Sequence, residues 1–183
     1  MQQRIFDWKV LVMIGLTAGI SQAITGIAMY LAGIYFLSWS VFMSILVLIL
    51  GIVLGSLWYR DKVLAGRMSY AQALLVGIVI SVSTGAVYAI YNIISISFFY
   101  PHFLDELIRL QIARAQAAGL GSGKMSDLRE LLATRVTAPN LALGNLIRFS
   151  LIGSTFSLIT SLFIRRKGEQ VNSRPSVMES IID

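Results

Sequence analysis

The chain has 183 residues, 56% of them hydrophobic and 13% charged, and it contains no cysteine; soluble domains carry about 25% charged residues. That composition excludes disulfide scaffolds and thiol chemistry, and it does not suit an ordinary water-facing surface. The net charge of +6 reads as a membrane-topology signal, so the expected partner is a lipid bilayer and no nucleic acid is expected.

No charged residue occurs between Lys9 and Arg60, a run of 50 positions. One membrane-crossing helix needs ~20 apolar residues, so the run holds two spans and a tight turn. Residues 1–9 carry Arg4, Asp7 and Lys9 and resemble the start of a signal peptide. The apolar stretch behind them is too long for one, and no A-x-A site follows, so the first span is expected to stay uncleaved. Span 1 is placed at 10–36, a turn at Leu37-Ser38-Trp39-Ser40, and span 2 at 41–59. A basic loop at 60–67 precedes span 3 at 70–98. A polar segment covers 102–137, and span 4 runs 141–164 before Arg165, Arg166 and Lys167.

Within the polar segment, Leu104, Leu107, Ile108, Ile112 and Ala115 recur at helical spacing, opposite Glu106, Arg109 and Arg114. The glycines at 119, 121 and 123 break that helix. Ser126 is expected to cap a second short helix presenting Leu128, Leu131 and Leu132. Both would lie on the outer membrane surface. The expected fold class is therefore all-α: an integral membrane bundle of four transmembrane helices, residues 1–167, with a short amphipathic helical segment between helices 3 and 4. Residues 168–183 would form a polar cytoplasmic tail.

Short basic loops stay in the cytoplasm. The side that holds both termini collects Arg4, Lys9, Arg60, Lys62, Arg67, Arg165, Arg166, Lys167 and Arg174. On the other side, the five basic residues of the long segment are nearly balanced by Asp105, Glu106, Asp127 and Glu130. Both termini are thus expected to be cytoplasmic, and the 102–137 segment external.

In lipid, helices associate through small residues that let backbones approach. Each span carries such a stripe: Gly15, Gly19, Gln22, Gly26 and Gly33; Ser44, Gly51 and Gly55; Gly77, Ser81, Gly85 and Ala89; and Ser150, Gly153, Ser154, Ser157 and Ser161. The strongest packing candidates are Gly15, Gly19, Gly77, Ser81, Gly85, Gly153 and Ser157.

Arg148 is the one charge inside a span. Intramembrane charges point to function, but a long side chain near the outer end can also snorkel to the interface and meet Asp105 or Glu106. The anchor reading is the expected one. A polar cluster of Arg148, Asn145, Gln22 and Asn92 is the alternative. His102 is the single histidine, so no metal site is expected. The segment 118–125 imitates a phosphate loop but has Ala118 and Met125 where the motif needs Gly and Ser or Thr.

Several stretches, in this order, carry a likeness. They are Trp58-Tyr59-Arg60-Asp61 with Gly66 and residues 68–77; Tyr91-Asn92-Ile93-Ile94 leading to Pro101-His102-Phe103; Met125-Ser126-Asp127; Ala138-Pro139; and residues 153–165. Here the chain resembles the domain of unknown function 4199 family of bacterial membrane proteins, over about residues 10–167. Four extra residues and His102 depart from the family's pattern in the second stretch. The resemblance implies four helices and a bacterial cytoplasmic (inner) membrane location. It brings no catalytic residue and no cofactor.

The expected function is non-enzymatic: an accessory or scaffolding membrane protein acting by helix-helix contact with itself or with another membrane protein. The alternative is a small transporter or channel subunit with a polar path near Arg148. A membrane enzyme is disfavoured by the shortage of acid-base residues.

Overall fold

A computed structural model of the chain describes residues 6–35, 38–100, 102–119 and 121–165. The 168–183 tail, and the charges Arg4, Arg166, Lys167 and Arg174, lie outside the described residues. The described chain is all-helical, in the order α1 (Trp8–Leu31), α2 (Ser38–Lys62), α3 (Tyr70–Ile94), α4 (Phe103–Ala117), α5 (Ser122–Arg135) and α6 (Ala138–Ile164). A π-helical turn, Ser95–Phe99, prolongs α3. Helices α1, α2, α3 with its extension, and α6 are each long and apolar enough to cross a membrane.

The helix starts follow from local chemistry. The Asp7 carboxylate accepts from the backbone N–H groups of Lys9 (3.1 Å) and Val10 (3.3 Å), capping α1. Ser69 and Gln72 form a reciprocal capping box at the start of α3. At α6, Thr137 caps and Pro139 occupies the first turn, where a missing N–H costs nothing. Between α2 and α3 the backbone turns through Ala65 and Gly66, at φ +52° and +77°.

Several boundaries differ from the sequence expectation: α2 already begins at Ser38, inside the turn expected at 37–40, and α6 begins at Ala138 rather than 141, because Thr137 caps it. Helix α1 ends at Leu31, five residues short of span 1, where Gly33 takes φ +69° and turns the chain. Gly33 is therefore a turn residue with open space around it, not part of the packing stripe. Helix α2 continues through Arg60 and Lys62, whose charges suit a helix C-terminus. Helix α5 begins at Ser122, with Gly121 at its N-cap. Ser126 sits inside the helix and donates back to the Gly123 carbonyl (2.7 Å), so it is not the cap.

Helix α3 is the centre of the bundle. Half of its apolar window is buried, against 22–28% for the other three spans. It packs most extensively on α6 and then on α1, while α2 touches α1, α3 and α6. The α3–α6 seam is antiparallel and built from reciprocal small residues. A Cβ on Gly77 would collide with Ser157, and one on Gly153 would collide with Ser81. One step further, Gly85 faces Phe149 and Leu146 at 3.3 Å from such an atom. The Ser81 and Ser157 hydroxyls donate to the Gly77 and Gly153 carbonyls of their own helices, each at 2.7 Å. Their polarity is thus satisfied locally, and they act in the seam as small groups.

On the opposite face of α3, Gly15 approaches Ser83, and a Cβ on Gly19 would lie 2.5 Å from Val87 Cβ. Thr84 donates its hydroxyl to the Gly15 carbonyl across this contact (3.2 Å). Outward, Leu46, Leu50 and Leu54 of α2, with Ile147, Leu151 and Leu158 of α6, are exposed. Apolar surface this continuous is tolerated in lipid and not in water.

At the end where α2 and α6 finish, Arg60 is 8% exposed. Its guanidinium holds both Asp61 carboxylate oxygens (2.7 and 3.2 Å) and donates to the Ile164 carbonyl (3.3 Å), the last of α6. At the same end, the Asp7 backbone N–H donates to the Tyr59 hydroxyl (2.9 Å).

Candidate functional site

The other end of the bundle collects the finish of α1, the start of α2, the finish of α3 and the start of α6, and α4 lies over it. Between them is a cavity of about 520 Å³, within the size range of small-molecule sites. Arg148, Asn145 and Phe149 of α6 line it, as do Tyr88 and Asn92 of α3 and Ser40 and Ser44 of α2. Helix α4 supplies Phe103, Leu107, Leu110, Gln111 and Arg114, a single helical face.

Arg148 lies ten residues into α6, ~15 Å along its axis. It is exposed into the cavity and has no hydrogen-bond or ion-pair partner among the described residues. Asp105 and Glu106 do not meet it: neither lines the cavity, and both are exposed on α4. Asp105 falls on the face of α4 turned away from the Phe103–Leu107–Gln111 row, and Glu106 falls at the edge of that row, exposed and outside the lining. Arg114 also lines the cavity and makes no ion pair among the described residues. Two guanidiniums therefore face one space, and no described Asp or Glu lines it. Both are exposed, but two positive charges with no described acid beside them still make the cavity favour an anion.

Aromatic and amide side chains shape the rest. Tyr35, in the turn after α1, shares a hydrogen bond with Tyr88 and packs edge-on against Phe103 at 5.3 Å. Burial raises the Tyr35 hydroxyl above its ordinary value, outweighing the hydrogen bond from Tyr88 and the Arg148 charge. It therefore stays a neutral hydroxyl at physiological pH. Tyr88 stacks edge-on to Phe149 at 5.0 Å, and Asn92 donates to the Tyr88 carbonyl (2.8 Å), which fixes the amide at the cavity wall.

Of the four polar residues singled out in the sequence, the structure brings Asn92, Asn145 and Arg148 to one cavity. Gln22 is 1% exposed and does not line it. It donates to the Ser44 carbonyl (3.2 Å) behind the wall, and its Oε1 has no partner among the described residues. The packing candidates Gly15, Gly19, Gly77, Ser81, Gly85, Gly153 and Ser157 are all buried between helices. His102 is exposed, and no cluster of three or more metal-ligating side chains occurs among the described residues.

Sequence reasoning missed Gln111 and Arg114. It placed Arg114 on the solvent face of α4, whereas the 103, 107, 110, 111 and 114 spacing is itself a helical row that could have linked this residue to Phe103. Tyr35 and Tyr88 carried no signal beyond being aromatic.

Comparison with curated proteins and with solved structures found no match. A family model described as a protein of unknown function, DUF4199, matches residues 14–166. That match covers α1 from residue 14 onward, the other three membrane-compatible helices and the α4–α5 segment, and on it the chain belongs to the DUF4199 family.

Proposed function

We propose that this chain is a non-enzymatic multi-pass protein of the bacterial cytoplasmic membrane. In this reading both termini are cytoplasmic, and the four-helix bundle is a scaffold for an anion-binding cavity at its outer end. The carrying observation is that Arg148 and Arg114 share one cavity while no described acid lines it. The lining also lacks Lys and His, and burial keeps the Tyr35 hydroxyl neutral, which favours binding over turnover. Its action is accessory, by contact with lipid, with a second copy or with another membrane protein.

A transporter would need the polar path to continue past Gln22. Moving from the cavity toward the other end, α2 and α3 contribute Leu48, Ile52, Ile80 and Val76, each at most 1% exposed, and this closely packed apolar layer supports the scaffold reading. In proteoliposomes the protein is expected to give no anion flux above protein-free vesicles. A sustained flux abolished by Arg148→Leu would replace the scaffold with a transporter.

Orientation is testable because the chain has no native cysteine. Lys62 and Lys124 are both exposed. A membrane-impermeant thiol reagent applied to intact cells is expected to label Lys124→Cys and to spare Lys62→Cys. The opposite pattern would invert the topology.

A further inference from the structure

The cavity is not lined by polar groups alone. Val41 and Phe42 belong to its wall, yet they are 40% and 64% exposed on the outer surface of α2. Phe42 begins a row at four-residue spacing, with Leu46, Leu50 and Leu54, all exposed. Side chains four apart share a helical face, so the wall of the cavity runs without a break into the lipid-facing surface of α2. The roof is loosely held as well: α4 packs chiefly on α5 rather than on the spans. A ligand entering from the bilayer thus meets an apolar track first and, at its end, two guanidiniums that make no ion pair among the described residues.

Resting on the anion-binding reading, the geometry points to an amphiphile as the ligand. Its phosphate or carboxylate head sits between Arg148 and Arg114, and its acyl chain passes over Phe42 and along Leu46 and Leu50. A fork of guanidinium donors matches either oxyanion. An inorganic anion would leave the apolar wall unused. Two sources share this chemistry, the bilayer's own anionic phospholipid and a free fatty acid.

The test uses the full chain in a neutral maltoside detergent and follows thermal unfolding at fixed ionic strength. Four additions are compared: dioleoylphosphatidylglycerol, dioleoylphosphatidylcholine, oleate and inorganic phosphate. A ligand that binds the folded state and not the unfolded one raises the unfolding midpoint, by an amount that grows with the logarithm of its concentration above Kd. The phosphatidylglycerol or the oleate is expected to raise it, and the larger response names the source. Phosphatidylcholine and inorganic phosphate are expected to leave it unmoved.

Arg148→Leu should weaken the apparent affinity by about tenfold or more, as expected for loss of a charge-assisted hydrogen bond. Arg114→Leu, on the exposed and loosely packed α4, provides a second variant that does not depend on the bundle interior. Phe42→Gln should weaken the amphiphile alone. If inorganic phosphate matches the lipids and the arginine variants abolish its effect, the anion site stands and the amphiphile falls. If phosphatidylcholine matches phosphatidylglycerol, if nothing shifts the midpoint, or if both arginine variants respond like the parent protein, both readings fall.

Discussion

Gly153→Leu is expected to prevent the central seam from closing and to cost more than about 3 kcal/mol, the upper end of ordinary overpacking. A single Cβ at this position already collides with Ser81 on α3 and lies 3.3 Å from Ile52 on α2. Leucine adds three further carbons with no space to enter. Relief would require α6 to move away from α3, which would also unseat Gly77 from Ser157 one turn away. Gly77→Leu should therefore give a defect of the same size, and the two together should be less than additive, because the first already opens the seam. Gly144 supplies the control: it lies on the same helix with nothing near its Cβ position. Gly144→Leu should be neutral or slightly stabilising, since glycine is a poor helix former. Thermal unfolding in detergent distinguishes these cases. If Gly153→Leu matches Gly144→Leu, the seam is not a close contact.

Arg60→Leu is expected to produce the second large loss, about 1.5–3 kcal/mol for a hydrogen bond from a charged group to a buried partner. The guanidinium fork is held by Asp61, while its remaining nitrogen closes the carbonyl of Ile164. Removing it orphans a C-terminal carbonyl of α6 and withdraws a cation from the negative end of that helix. Asp61 contributes little to the loss, since its side chain is 51% exposed and rehydrates. Arg60→Lys keeps the charge but not the fork, so its stability should fall between the two. Equal unfolding midpoints for Arg60→Leu and the parent chain would show that the link between α2 and α6 does not contribute to holding that end.

The two changes separate what is readable in a sequence from what is not. The Gly153 stripe follows from spacing alone, because residues three and four apart share a face. Arg60 looked like a loop charge that sets topology, and nothing in the residues near it announces that the end of α6, over a hundred positions later, comes to rest against it. Arg148 was legible as an unusual charge, and its candidate neighbours Asn92 and Asn145 were legible as polar residues at similar depth. Their meeting around one cavity was not, and neither was the arrival of Arg114 from a helix outside the four spans.

By itself, then, the sequence determined the local terms: four apolar lengths that fit a bilayer, the charged breaks between them, and an amphipathic α4. Each depends on residues within a few turns of one another. Which face meets which helix was decided only in the tertiary structure. In water, hydropathy marks the buried face of a helix, because the other face must be polar. In lipid both faces are apolar, so Leu50 facing the bilayer and Leu48 at 1% exposure in the core look alike in sequence. The choice between them rests on how closely two backbones can approach, as they do where Gly77 meets Ser157, and close approach is a property of the pair rather than of either helix.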